Sequence, residues 1–452
     1  MKFAKNISIL FFLSFFLISI NITTKAEKNP FGLDFSVESD AIYFVNEDTN
    51  TIVYEKNKDL KIPCSALAKM MTTILVLESK ECKENPKKFL NKKITASSEI
   101  FDRLYLKGAS NANLRKGETI TVKDALFAAM LQSACEATMM LVEMFCKQDT
   151  DKFVNMMNEK AKELNMKNTN FVDPDGLDTS SQQTTAYDMY LLTKYCMKNS
   201  LFKKIATTTT YEIPPTNIHE KPAKLIHTNK MLSKYLGGKN YDSRVKGIKT
   251  AKIEGKDNLV TIAKDKNYNY TLIILGSPKI NNESCIYKEA RNLYDWAFKN
   301  LKLEIVASPE EKTVPNNIQV NMSKNSAGII LTPKEQVTIL IPSHVDKSTI
   351  YWDLEDLPKT LDAPIKKGKE IGKVKLKLSD QKIGEVTVVA AKDVKVDIFS
   401  FISNMIIKIL TSIWFIMFSI ILITFILWLF INNKFKPKNN KMKNFKKYKP
   451  FV

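Results

Sequence analysis

The sequence predicts an α+β protein: a three-layer αβα domain, then a small all-β domain, then one transmembrane helix near the C-terminus. Three observations carry the reading. A strand pair over residues 40–56 precedes a series of helical runs, and further strands with a closing helix come only after them, so one sheet draws strands from both ends of the domain. From Leu303 onward short strands alternate with turns. Residues 409–431 are apolar and uncharged over a length that spans a bilayer.

Taken in order, residues 1–26 hold Lys2 and Lys5, an apolar run over 7–22, and Thr24-Lys25-Ala26. This reads as a secretory signal cleaved after Ala26, with an uncleaved anchor as the alternative. The first domain is expected over 35–300. Residues 41–45 and 51–54 are strands around a turn at 46–50. Pro63 and Ser65 suit a helix start, and no breaker interrupts 67–77. The oddity there is Lys69, set in the first turn of an apolar run. A lysine in such a place is costly unless it is paired or used. Snorkelling of its stem to solvent is the plain alternative.

Residues 91–118 read as short strands and loops. Residues 121–145 are helical in two pieces that meet near 132–136, and 153–164 is a further amphipathic helix. Asp173-Pro174-Asp175-Gly176 is a turn, and Thr185 with Asp188 has capping-box spacing for a helix to about 197. Strands are expected at 211–213, 245–252, 259–264 and 270–275, with a closing helix over 287–298. In the second domain, 303–395, strands are expected at 318–320, 327–331, 337–341, 373–376 and 384–388. Residues 397–408 place Ile398, Phe399, Phe401, Ile402, Met405 and Ile406 on one face. That piece either lies on the outer membrane surface or extends the span. Behind the span, the tail 432–452 carries lysines and no acid, which belongs on the cytoplasmic side.

The formal charge of +20 falls to +9 once the eight tail lysines and the three of the leader are set aside. The exported part is moderately basic, suited to an anionic wall or membrane surface. Without a basic aromatic motif, nucleic acid is not an expected partner. Cys64, Cys82, Cys135, Cys146, Cys196 and Cys285 are too sparse for a disulfide framework, and with no CxxC pair and scattered histidines neither a metal site nor a cofactor is expected. No phosphate-binding glycine loop is present.

Several segments carry a resemblance. Tyr54-Glu55-Lys56-Asn57-Lys58-Asp59, Lys116-Gly117-Glu118-Thr119-Ile120, Asn170 through Leu177, Thr185-Ala186-Tyr187-Asp188, His227-Thr228-Asn229-Lys230 and Ala363-Pro364-Ile365-Lys366-Lys367-Gly368 stand in one order. In these the chain resembles the D-alanyl-D-alanine carboxypeptidases, the low-mass penicillin-binding proteins. The resemblance implies the β-lactamase/penicillin-binding, transpeptidase-like fold. It also implies a serine acylation site built from Ser-x-x-Lys, Ser-x-Asn and Lys-Thr-Gly. In that scheme the serine attacks, the lysine takes its proton, and the second motif relays protons and holds the substrate amide. The third motif holds the terminal carboxylate, and main-chain N–H groups form the oxyanion hole.

This sequence departs from all three motifs. Run without gaps, the nucleophile position falls on Ala66, in Ala66-Leu67-Ala68-Lys69. The second motif reads Ser133-Ala134-Cys135 and the third Lys249-Thr250-Ala251. Lys69 keeps the general-base position and Ser133 the relay. Cys135, Lys249, Thr250 and Ala251 stand at the substrate-binding positions. Alanine has no nucleophilic atom, and losing the nucleophile of a serine hydrolase costs on the order of 10⁶ in turnover. The expectation is therefore a membrane-anchored, extracytoplasmic cell-wall protein of impaired or absent catalysis that binds peptidoglycan stem peptides or a wall-synthesis partner. The alternative is an active enzyme trimming the terminal D-alanine, with Ser65 as displaced nucleophile or Cys64 in its stead. The simpler reading of Ser65 is an N-cap.

Overall fold

The computed structural model describes residues 29–434 except 148, 178–180, 267, 282, 311–313, 325–327 and 379–380. The expected leader and the tail beyond Lys434 lie outside the described residues. The described chain divides into two compact units, one ending at Glu304 but including Thr338–Lys347, the other made of Ile305–Val337 with the chain from Ser348 on.

In the first unit, strands β1 (Ala41–Asn46) and β2 (Thr51–Lys56) form the expected hairpin. They join β3 (Val245–Ile253), β4 (Lys256–Asp265) and β5 (Tyr268–Ile280) in one antiparallel sheet of order β2-β1-β5-β4-β3. All six residues of β1 are buried because the sheet is covered on both faces. Ala41, Tyr43 and Val45 pack into the larger helical layer, while Ile42 and Phe44 pack against the closing helix α6 (Ile286–Asn300). That helix buries Ala290, Leu293, Tyr294 and Ala297 at helical spacing.

The larger layer is built around α1 (Ala68–Leu77), which follows a single 3₁₀ turn, Ser65–Leu67. Nine of its ten residues are buried, so it is a central helix rather than an amphipathic surface one. Around it stand α2 (Val122–Leu131), α3 (Cys135–Cys146), α4 (Thr150–Glu163) and α5 (Ala186–Cys196). A reciprocal Thr121–Asp124 capping box starts α2. At α5 only half of the expected box forms. Thr185 Oγ1 accepts from Asp188 N, but the Asp188 carboxylate turns to Asn168 N and Thr169 Oγ1, each at 2.8 Å. Residues 91–118 contain a helix, Ser98–Leu104, that loop-like composition concealed. A helix at Ser200–Ala206 and a strand at Ala223–Ile226, paired with Thr210–Ile213, were also not expected.

The second unit holds β6 (Leu331–Pro333), β7 (Ile350–Asp353), β8 (Glu370–Leu378) and β9 (Gln381–Ala390) in an antiparallel sheet of order β6-β9-β8-β7. The strand expected at 327–331 starts only at Leu331, since 328–330 make no ladder. Leu340 lies in the first unit's core with Tyr294 and Met231, which is why the segment around it belongs there. Helices α7 (Ile398–Leu410) and α8 (Ile413–Lys434) follow. The sequence reads an unbroken span from 409, whereas the structure breaks at Thr411–Ser412, and the long apolar helix runs over Ile413–Asn432.

Candidate functional site

The three motif segments meet at the N-terminal end of α1. Lys69 is 1% exposed, so its stem does not snorkel to solvent. Its Nζ donates to the main-chain oxygen of Asp175 and lies 3.4 Å from Cys135 Sγ. Thr72 Oγ1 donates to Pro174 O at 2.7 Å, so the Asp173–Gly176 turn is tied along one side of α1. Within that turn Asp173 Oδ1 accepts from Gly176 N and, at 3.2 Å, from Gln182 Nε2. The turn reads in sequence only as a chain reversal; its work is to fix the lysine.

Ser133 and Cys135 sit in the break between α2 and α3. Ser133 adopts a left-handed φ of 58°, which swings the chain from one helix into the next. Cys135 N donates to Ser110 O at 2.8 Å. Lys249, Thr250 and Ala251 lie on β3, the edge strand of the sheet. Lys249 Nζ donates to Ser133 Oγ and, at 3.0 Å, to Thr250 O. Thr250 Oγ1 pairs with Thr228 Oγ1 at 2.6 Å. Lys69, Cys135, Ser133 and Lys249 thus form one continuous set of contacts. Ala251 is buried, and its methyl stands on the edge strand.

Ala66 is half-buried and offers only its methyl. Ser65 is not placed as a helical neighbour of Lys69 or as a cap. It sits at φ 48° in the 3₁₀ turn, and its hydroxyl donates across to Lys252 O at 2.9 Å. The residue preceding that turn is Cys64, which makes no side-chain cap. Cys64 is fully buried, and burial, with Asp173 adding to it, pushes its thiol far above the usual range, opposite to what a nucleophile needs.

The electrostatics are those of a dry pocket. Burial, then the charge of Lys69, hold Lys249 well below the usual lysine range. Burial also raises Cys135, which Lys69 partly offsets. His227 lies behind Lys249, with Nε2 3.0 Å from Ile248 O. Burial first and Lys249 second lower it to about 4. Burial raises Glu136, whose Oε1 accepts from Ala112 N at 2.6 Å. Arg103 stands 3.6 Å from Asp175 Oδ2. Sequence reasoning missed the roles of Asp175, Gln182, His227, Glu136 and Asn258, whose Nδ2 donates to Pro63 O at 3.0 Å and so ties the turn before α1 to β4. Their signals were a Pro/Gly turn and isolated polar residues, neither of which names a partner. Among the described residues no group of three or more His, Cys, Asp or Glu is placed to hold a metal.

Comparison with known proteins gives the same frame. Residues 23–279 match the model of a family described as D-alanyl-D-alanine carboxypeptidase, and residues 309–396 that of the C-terminal domain of penicillin-binding protein 5. The D-alanyl-D-alanine carboxypeptidase DacF of Bacillus subtilis is 28% identical over 362 residues, covering 79% of this chain and 86% of its own. Penicillin-binding protein 5 of Haemophilus influenzae superposes with a TM-score of 0.61 at 22% identity, over 80% of this chain and 99% of that one. A Streptomyces DD-transpeptidase, solved as variants, superposes with TM-scores of 0.50–0.51 at 25% identity, over 58% of this chain and 99% of that one. One of those variants replaces a serine and another a cysteine two positions further on, the spacing of Ser133 and Cys135.

Proposed function

The chain belongs to the D-alanyl-D-alanine carboxypeptidase family, and from that premise we propose that it is a cell-wall protein that has kept the family's cleft and lost its acylation chemistry. The observation that carries this reading is Ala66. Around it Lys69, Ser133 and Lys249 form one contact set, while the position itself carries a methyl. A reaction that needs an oxygen or sulfur nucleophile has none there. The serine–cysteine pair of the Streptomyces transpeptidase supports the view that Cys135 is compatible with such chemistry, which leaves Ala66 and Ala251 as the disabling changes.

The retained groups suit non-covalent capture of a carboxylate-ended stem peptide. Lys249, Thr250 and Thr228 line one end of the cleft, and the edge strand β3 offers main-chain groups to an extended peptide. A wall-synthesis partner is the other candidate ligand. The long apolar helix over Ile413–Asn432 serves as a membrane anchor, with the two folded units outside and the basic tail inside.

The test is labelling of the full chain with a penicillin, followed by intact mass, alongside binding of muropeptides. The native chain should gain no adduct and should bind muropeptides. Ala66→Ser should gain an adduct if the rest of the site is competent. An adduct on Ser65 or Cys64 of the native chain would show an active enzyme and end this reading. Absence of muropeptide binding would end its ligand half.

A further inference from the structure

The break between α7 and α8 forms a cavity with its own chemistry. Asp397 caps α7 through Ser400 N at 3.0 Å, and its own N–H donates to Met322 O at 2.8 Å, tying the helix start to the second unit. No residue of α7 is buried, and Phe399 is 85% and Ile398 70% exposed. At the far end, where the chain turns at Thr411–Ser412, a cavity of about 290 Å³ opens. Lys408, Asn404 and Ser412 supply its polar side, and Phe401, Met405 and Ile409 its apolar walls. No acidic side chain lines it, and Lys408 is the one charged residue between Asp397 and Lys434 in the sequence.

Depth gives this cavity a neighbour. The apolar helix that follows has 20 residues of mean hydropathy 2.7, enough to cross the hydrocarbon core. If Ile413 marks the outer edge of that core, Ser412 and Lys408 lie at the level of the lipid phosphates. A lysine, an amide and a hydroxyl are donors for phosphate oxygens, and three apolar side chains beside them suit the first methylenes of an acyl chain. Free phosphate would use the donors and leave the walls unused.

We propose that the cavity at the α7–α8 break holds the phosphate headgroup of an anionic phospholipid of the outer leaflet. This rests on the anchor reading above. A lysine near a membrane surface contributes to anionic-lipid binding by about fivefold in affinity.

The experiment reconstitutes the full chain in phosphatidylcholine vesicles containing either photo-crosslinkable phosphatidylglycerol or photo-crosslinkable phosphatidylcholine. Crosslinks are mapped by peptide mass spectrometry, so lipid gathered by the basic tail is scored apart. Phosphatidylglycerol should label the 398–412 peptide in preference to phosphatidylcholine. Lys408→Gln should cut that preference about fivefold, Lys408→Arg should keep it, and excess inorganic phosphate should not compete. Equal labelling by the two lipids, or indifference to Lys408→Gln, overturns the headgroup site. Competition by inorganic phosphate overturns the lipid as its occupant. A carbonate wash separates the premise: a chain stripped from the vesicles has no anchor, and the proposal falls with it. A chain that stays inserted without headgroup preference refutes the cavity alone.

Discussion

Gly176→Ala probes how firmly the Asp173–Gly176 turn sets the cleft. Gly176 has a φ of +77°, and a Cβ there would come within 2.7 Å of Ala66 N and closer still to the carbonyl group of Ser65. These neighbours are backbone, so no rotamer change relieves the overlap. Left-handed geometry costs a residue with a Cβ about 1–2 kcal/mol. Overpacking in a filled interior adds about 1–3 kcal/mol. The sum, about 2–5 kcal/mol, corresponds to a fall in Tm on the order of 10 °C for a unit of this size. Gly255, in the turn between β3 and β4, supplies the control. Its φ is +69°, but nothing lies within 4 Å of its Cβ position. Gly255→Ala should therefore cost only the conformational part, about 1–2 kcal/mol. Thermal unfolding of the full chain in detergent, followed by near-UV circular dichroism, reads both variants. Because Asp175 O accepts from Lys69, Gly176→Ala should also weaken muropeptide binding. Equal destabilisation by the two variants would refute the forced contact between this turn and the start of α1.

Other outcomes follow from the same coordinates. His227 is lowered from 6.5 to about 4, so the folded chain binds fewer protons than the unfolded one inside that window. Stability should fall as pH drops from about 6.5 to 4, by up to about 3 kcal/mol, and His227→Gln should flatten a Tm–pH curve there. Lys249 is also lowered, so stability should rise with pH between its lowered value and the ordinary lysine range, by at most about 1.4 kcal/mol per pH unit. A Lys249→Met variant with an unchanged slope above neutrality would contradict this. Thr121→Ala removes half of the capping box and should cost about 1 kcal/mol in a denaturant midpoint. Phe44, with ring centroids 5.3 Å from Tyr270 and 5.7 Å from Tyr294, should cost about 3–5 kcal/mol as Phe44→Ala. A loss below 1 kcal/mol would show that this layer repacks.

Most of the first unit was legible because its signals are local. The 41–56 hairpin alternates, helices 121–145 and 287–298 show helical spacing, and Thr121 announces its own cap. The helix at Ser98–Leu104 and the strand at Ala223–Ile226 were hidden in polar stretches, since their apolar residues are too few to set a period. Of the site, the types of residue and their order were readable, but their partners were not.

The sequence by itself determined that an apolar helix carries a lysine, that no nucleophilic atom stands at position 66, and that charged and uncharged stretches alternate near the C-terminus as an anchor requires. Tertiary structure decided where Lys69 and Ser65 point. Lys69 meets Cys135 across 66 residues of chain, and Ser65 reaches Lys252 across 187. Periodicity reports only on neighbours within a turn or a strand. Contacts at those separations are selected by which faces pack together, and a left-handed φ at Ser65 turns its hydroxyl to the edge strand. The displaced-nucleophile reading needed a regular helical turn at Ser65, and the backbone there is not one.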